Sequence, residues 1–199
     1  MTHIAIRVFQ VAILTAWLGA CGSSPHSNYY LLTAQQMPSA SGQQPSLGIG
    51  PVAIPQYLNR TGLVYSKAGN QLQISSQERW AEPLEDGIER VLGLNLANLL
   101  NTENVRYFPW SAGQAPDYGI KVTILTLDAS DSNATLVAEW LVYRADSGEP
   151  VNRRISQLQQ ALPNGPLQAS QLAPVYSDLL YQLCEMIADE VKTAETPAQ

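Results

Sequence analysis

The chain has 199 residues, of which 45% are hydrophobic and 14% charged, and its 17 acidic and 11 basic residues give a net charge of −6. This length is enough for one ordinary domain with its own core. The scattered basic residues argue against nucleic-acid binding, because that function needs clustered Lys and Arg to neutralise phosphate.

The first twenty residues are typical of a secretory signal peptide. Arg7 gives a weakly basic start, the apolar run VFQVAILTAW (residues 8–17) follows, and small residues close the segment. The run is well short of the roughly 20 residues that cross a bilayer as a helix. We therefore expect residues 1–20 to be a cleaved signal peptide and not a permanent transmembrane span.

The segment Leu18-Gly19-Ala20-Cys21 resembles the bacterial lipobox, in which the chain is cut just before a cysteine whose thiol is acylated. It predicts cleavage between Ala20 and Cys21 and a lipid anchor on Cys21, with several acyl chains making the attachment durable. An ordinary signal peptide with an incidental cysteine is the alternative. Gly22, in place of an aspartate, favours the outer membrane by resemblance to enterobacterial sorting rules.

Cleavage would leave 10 basic residues against 17 acidic ones, a net charge of −7, because Arg7 is lost. Residues 21–28 are predicted to form the lipid anchor and a short tether, residues 29–193 the folded domain, and residues 194–199 a frayed tail. As a coil, the seven residues from Gly22 to Asn28 span roughly 15 Å, which holds the domain close to its membrane.

The first part of the domain predicts strands. YYLL (29–32) is one, and LGIGPVAIP (47–55) is a second with an irregular middle at Gly50-Pro51. LVYS and QLQIS flank a turn at residues 67–70, a pattern typical of a β-hairpin.

A first helix is predicted over about residues 83–101. Pro83 is favoured at a first helical position, and the acidic Glu82 and Glu85 suit the positive end of the helix dipole. Gly87 and Gly93 are poor helix formers and predict close packing against another element. Apolar side chains recur every three or four residues. They are Leu84, Ile88, Val91, Leu92, Leu96 and Leu99.

Three alternating segments are expected to form an antiparallel meander after a shorter strand in VRYFPW (105–110). The apolar residues that alternate along the first of these segments have even numbers, whereas Leu125 and Leu127 have odd numbers. In a regular strand these two leucines would therefore face the other side of the sheet, which indicates a bulge or burial on both faces. The three segments are YGIKVTIL (118–125), ATLVAEWLVYRA (134–145) and VNRRISQLQQAL (151–162).

A second helix over about residues 171–192 carries a continuous apolar stripe. Cys184 lies on its apolar side and is predicted to be a small buried hydrophobe, with a reactive thiol as the alternative. Two helices and a mixed sheet of about six to eight strands, including the three-strand antiparallel meander, predict an α/β two-layer sandwich.

The chain offers little for catalysis or metal binding. After cleavage its one histidine is His26, in the tether, so a Ser-His-Asp or Cys-His device is not expected. No Cys/His set has zinc spacing and no glycine pattern suits a phosphate. Glu85 and Glu89 share a helix face, where a solvated surface is the simpler interpretation. We therefore expect no enzymatic activity, no metal and no cofactor.

Two segments, which follow each other in the expected order along the chain, resemble the ABC-type transport auxiliary lipoprotein family, the PqiC-like group. That family shows an I-P-x-Y-L-x-R segment, here Ile54 to Arg60, and R-W-A-E-P-L before a helix, here Arg79 to Leu84. ATLVAEWLVYRADSGEPVNRR resembles the family's A-x-W strand and its glycine turn. The resemblance covers most of residues 21–192. This sequence departs from the family's pattern in two places. Its A-x-W strand reads A-E-W, and Gly62-Leu63 stands where a bulkier aliphatic pair is common.

The resemblance implies a non-enzymatic outer-membrane lipoprotein of an MCE-type phospholipid transport system. In such systems rings of MCE-domain proteins form a periplasmic lipid conduit, and the lipoprotein would receive that conduit at the outer membrane and support envelope integrity. The alternative is an envelope lipoprotein that regulates a cell-wall or outer-membrane assembly machine without handling lipid.

The segment around R-W-A-E-P-L has two interpretations. In one, Arg79 pairs with a nearby carboxylate and Trp80 fills the space between helix and sheet. In the other, a surface binds the MCE-domain partner or another copy of the chain in a homo-oligomeric ring, since Trp, Tyr and Arg are enriched at interface hot spots. The candidate interface residues are Tyr57, Arg60, Arg79, Trp80 and Glu82.

Overall fold

The computed structural model describes residues 26–36, 39–68, 70–111, 113–130, 132–162 and 167–196. The predicted signal peptide and lipidation site, residues 1–21, lie outside these ranges. A short 3-10 turn, Ala169–Gln171, precedes the last helix. The elements are β1 Asn28–Tyr30, β2 Leu47–Ala53, β3 Gly62–Ala68, β4 Gln71–Trp80, α1 Leu84–Leu99, β5 Val105–Tyr107, β6 Tyr118–Ala129, β7 Asn133–Arg144, β8 Pro150–Ala161 and α2 Leu172–Glu195.

The strands form two sheets, one of three strands in the order β1-β4-β3 and one of five in the order β5-β2-β6-β7-β8. Strand β1 runs parallel to β4, and β2 runs parallel to both β5 and β6. The α/β class with two main helices is confirmed. The prediction of one mixed sheet is corrected, because the strands are divided between two sheets.

A side chain joins the two sheets where a backbone ladder would otherwise continue. The Asp128 carboxylate, near the end of β6, accepts the backbone N–H of Ser66 on β3 at 2.8 Å, and it also accepts the Ser66 hydroxyl. Because the carboxylate takes the amide that a neighbouring strand's carbonyl would accept, β3 lies beside β6 without extending the five-stranded sheet.

The core lies between the two helices and one face of the five-stranded sheet. Helix α1 packs on β2 and β5, α2 packs on β6, β7 and β8, and the helices contact each other. Along β7 every second side chain is fully buried, from Ala134 to Val142, which is the period of a strand with one face in the core. Trp140 is among them, and its indole N–H donates to the Ser156 hydroxyl at 3.0 Å.

The predicted meander is confirmed, since β6 pairs with β7 and β7 with β8, both antiparallel. The register of β6 and β7 shifts between Ile124 and Thr126, so the residue between them forms a bulge. Leu125 is 42% exposed whereas Leu127 is fully buried. Of the two alternatives for this parity change, the bulge is therefore correct. The strands β1, β2 and β5 are shorter than predicted.

Helix α2 continues to Glu195, beyond its predicted end at residue 192 and into the predicted frayed tail. The Arg144 guanidinium lies 4.3 Å from the centre of the Tyr118 ring and donates to the Ala194 carbonyl at 3.4 Å. A cation at the negative end of a helix satisfies a carbonyl of the last turn, which accounts for the extra length.

Cys184 is fully buried in the core. Burial raises the pKa of its thiol. The thiolate is the reactive form of cysteine, so this thiol is inert in the folded protein. The prediction of a buried apolar cysteine is confirmed.

We expect Leu183→Ala to lower the free energy of unfolding by about 2–5 kcal/mol, because a cavity replaces buried methyl groups. Leu183 is fully buried in the middle of α2. Urea denaturation measures the loss. The matched control is Leu125→Ala, at 42% exposure, with an expected loss of about 0.5 kcal/mol or less. Equal losses in the two variants would contradict the buried face assigned to α2.

Candidate functional site

An open groove of about 270 Å³ lies at the N-terminus of α1. One wall is the loop after β2, and the other is the junction of β4 and α1. The two walls are held together because the Trp80 amide donates to the Thr61 carbonyl at 2.8 Å. The lining residues are Asn59, Arg60, Thr61, Trp80, Ala81, Glu82, Pro83 and Leu84. The fold thus brings together two segments that lie twenty residues apart in the sequence.

Trp80 forms the floor of the groove and belongs to the hydrophobic core. It is 7% exposed, and its ring centre lies 6.4 Å from that of Tyr176 on α2 at an angle of 33°. Tyr176 is itself almost completely buried, and this burial raises the pKa of its phenol. The packing role expected for Trp80 in the first interpretation is therefore observed.

Glu82 makes the ion pair of this motif, with Arg90 on α1. The two side chains are 31% and 38% exposed, respectively. Arg90 also donates to the Leu32 carbonyl at 3.0 Å, so it joins the start of α1 to the chain that follows β1. A Cβ atom on Gly87 would lie 2.9 Å from the Glu82 carboxylate, so the helix passes close to this side chain. The sequence contains no signal that would have identified Arg90 as the partner.

Arg79 does not make the carboxylate pair that the packing interpretation expected of it. Its Nε donates to the Ser76 carbonyl at 3.2 Å within β4, and it lies beside the exposed Tyr29 of β1 in the parallel register. Arg60 is exposed at the rim of the groove. Arg79 is partly exposed, and these two residues are the cations of the predicted set.

Tyr57 is half-buried and points away from the groove, toward β6. Burial raises the pKa of its phenol, a hydrogen bond with the Leu127 backbone opposes that rise, and the Asp128 carboxylate adds to it. Of the five predicted interface residues, Arg60, Trp80 and Glu82 line the groove, whereas Tyr57 and Arg79 lie outside its lining. Ala20 and Cys21, the predicted cleavage and lipidation residues, fall outside the described part of the chain.

The described residues offer no metal-binding cluster, since no three His, Cys, Asp or Glu side chains among them are grouped closely enough to hold an ion. In the same part of the chain, no helix has both the length and the apolar character needed to cross a bilayer.

Two solved structures share this fold of two sheets and two helices. An uncharacterized protein aligns with a TM-score of 0.68 at 23% identity, over 84% of this chain and 99% of that one. Protein XCC0632 from Xanthomonas campestris aligns with a TM-score of 0.64 at 16% identity, over 81% and 93% of the two chains. These likenesses define the class, an α/β domain with both helices on one face of the larger sheet.

Sequence comparison defines the family. Residues 29–188 match the family described as ABC-type transport auxiliary lipoprotein component. The intermembrane transport lipoprotein PqiC of Escherichia coli (strain K12) is 30% identical over 142 residues, which cover 69% of this chain and 74% of that protein. The chain belongs to the ABC-type transport auxiliary lipoprotein family, as its motifs indicated. The similar PqiC proteins of Escherichia coli and Shigella flexneri are named for transport and not for an enzymatic reaction.

Proposed function

We propose that the protein is a non-enzymatic outer-membrane lipoprotein of an MCE-type phospholipid transport system, where it docks the periplasmic lipid conduit. The observation that carries this proposal is the 30% identity to a protein named as an intermembrane transport lipoprotein, within a family match that spans residues 29–188. Residues 1–20 are removed on export, and the lipid on Cys21 holds the domain at the periplasmic face of the membrane.

The docking surface in this proposal is the rim of the groove at the start of α1. Arg60 is exposed there and Arg79 lies next to the groove, partly exposed, whereas Trp80 supplies an apolar floor that is already packed against the core. Glu82 forms an ion pair with Arg90, which holds its side chain in place at the rim. Tyr57 supports the loop after β2 from the side that faces β6, away from the groove. Arginine at the edge of an apolar depression is a common hot-spot arrangement.

The same surface serves the MCE-domain partner or a neighbouring copy of the chain. A contact between two different faces of identical subunits closes into a ring when the rotation per subunit permits. A ring of this lipoprotein would match a ring-shaped conduit in symmetry. Both contacts need guanidinium groups that one domain leaves accessible, and the exposed Arg60 and the partly exposed Arg79 meet that requirement.

We expect the double variant Arg60→Ala/Arg79→Ala to weaken binding of the MCE-domain partner, or self-association, by about tenfold, which corresponds to about 1.4 kcal/mol. Its melting temperature should stay close to that of the wild type, because exposed side chains contribute little to stability. Pull-down of the partner and light scattering on the unlipidated chain measure the two contacts.

The matched control is Arg153→Ala/Arg154→Ala, which removes the same charge from β8. Those side chains are 70% and 52% exposed and pair with Glu139 and Glu190 at the surface, where ion pairs contribute little. A control that weakens binding equally would show a general charge effect and contradict the assigned surface. Failure of the wild-type chain to bind any MCE-domain protein would contradict the transport role itself.

A further inference from the structure

The first half of β4 carries apolar side chains that the domain does not bury. All four residues of the segment Gln71–Ile74, which we call the β4 tip, are exposed. Leu72 is 42% exposed and Ile74 is 51% exposed. The alternating sequence QLQIS predicts a strand with one face buried, yet here both faces of the strand meet solvent.

The backbone edge of this segment is also uncovered. Strand β1 pairs only with its last three residues, Glu78 to Trp80, so within the described residues the edge from Gln71 to Gln77 has no neighbouring strand on that side. From Asn70 to Gln77 the sequence contains no charged residue, although the whole chain carries a net charge of −6. An uncharged strand with a free edge and two exposed apolar side chains is typical of a contact surface.

The register between β1 and β4 relates this segment to the proposed lipid anchor. The two strands are parallel, with Asn28 beside Glu78, and the Asn28 amide donates to the Glu78 carboxylate at 3.0 Å. Cys21 precedes Asn28 by seven residues, 28 minus 21, and Gln71 precedes Glu78 by seven, 78 minus 71. Because the strands are parallel, the chain that precedes Asn28 and the part of β4 that precedes Glu78 extend in the same direction from this pair of residues.

The lengths then place the β4 tip at the membrane. Seven residues of strand extend roughly 23 Å from Glu78 to Gln71. Seven residues of chain in any conformation reach at most about 25 Å from Asn28 to Cys21. An anchor on Cys21 therefore lies at most about 25 Å from Asn28, which is close to the distance from Glu78 to Gln71. A coil of about 15 Å that runs alongside β4 would carry the β4 tip past the bilayer surface.

We propose that the β4 tip inserts into the interfacial region of the bilayer beside the lipid anchor and forms a second membrane attachment through Leu72 and Ile74. The inference rests on the proposed anchoring through Cys21. An apolar surface of this kind lies about 5–10 Å deep, at the boundary of headgroups and acyl chains. The absence of carboxylates from Asn70 to Gln77 suits contact with anionic lipid. Two attachment points fix the orientation of the domain, which a single attachment point does not.

The test uses the full lipidated protein in vesicles of phosphatidylethanolamine and phosphatidylglycerol, with an environment-sensitive fluorophore on Leu72→Cys or Ile74→Cys. Lipid blocks Cys21 and burial protects Cys184, so the introduced thiol alone is labelled. The matched control is Ile155→Cys on β8, at 67% exposure. We expect a several-fold rise in emission, a blue shift and quenching by spin-labelled lipid at positions 72 and 74, with none of these at 155.

Vesicle flotation separates the two proposals. A protein that floats while its labels at 72 and 74 remain as hydrated as the label at 155 would overturn the insertion and leave the anchoring intact. A protein that does not float would overturn both. Labels at 72 and 74 that lose water only after an MCE-domain protein is added would also overturn the insertion, because the segment would then be a protein contact.

Discussion

Replacing Cys21 with Ala is expected to abolish lipidation and to leave an uncleaved precursor or a soluble periplasmic protein. Each buried methylene of an acyl chain contributes about 0.8 kcal/mol to membrane binding, and a stable anchor needs more than one chain. Without the thiol no chain is attached, and the β4 tip alone offers two apolar side chains, too few to hold the domain. Cell fractionation and incorporation of labelled fatty acid measure the change.

The control for this variant is Cys184→Ala, which removes the other thiol of the mature chain. That thiol is fully buried and is remote from the acylation chemistry, so the variant should keep its lipid and its membrane location. Equal incorporation of labelled fatty acid into the Cys21→Ala and wild-type proteins would contradict the anchor assigned to Cys21.

Trp80→Ala is expected to lower the free energy of unfolding by about 3–5 kcal/mol, the usual cost of truncating a buried aromatic side chain. Trp80 is 7% exposed and packs on Tyr176, so its removal opens a cavity between β4 and α2. For a chain of this size each kcal/mol corresponds to a fall of roughly 2–4 °C in melting temperature. Thermal and urea denaturation of the unlipidated chain measure the loss.

Arg79→Ala is the control, because it changes the neighbouring residue of the same motif. Arg79 bonds only to the Ser76 carbonyl of its own strand, and we expect a loss of about 0.5 kcal/mol or less. A loss as large as that of Trp80→Ala would mean that Arg79 also supports the fold. With the expected ranking, Trp80 packs the core and Arg79 is free for a partner, so the two interpretations of the motif apply to different residues.

The sequence by itself determined the features that depend on local patterns. The alternation in β6 and β7 predicted the meander, because residues two apart share one face of a strand. The parity change at Leu125 and Leu127 predicted either a bulge or burial on both faces, and the structure shows the bulge. Gly93 predicted a close neighbour, and the structure places the Tyr107 hydroxyl 2.4 Å from where its Cβ would be. The apolar stripe of the last helix predicted the buried face that includes Cys184.

Only the tertiary structure decided which distant segments meet. The Asp128 carboxylate bonds Ser66 of the other sheet, Glu82 pairs with Arg90, and β1 pairs with only the last three residues of β4. Sequence periodicity shows which face of an element is apolar, but it does not show which other element covers that face. The partner is chosen by contacts between residues far apart in the chain. For this reason the sequence motif predicted where the candidate surface lies, whereas the fold decided which of its side chains are exposed.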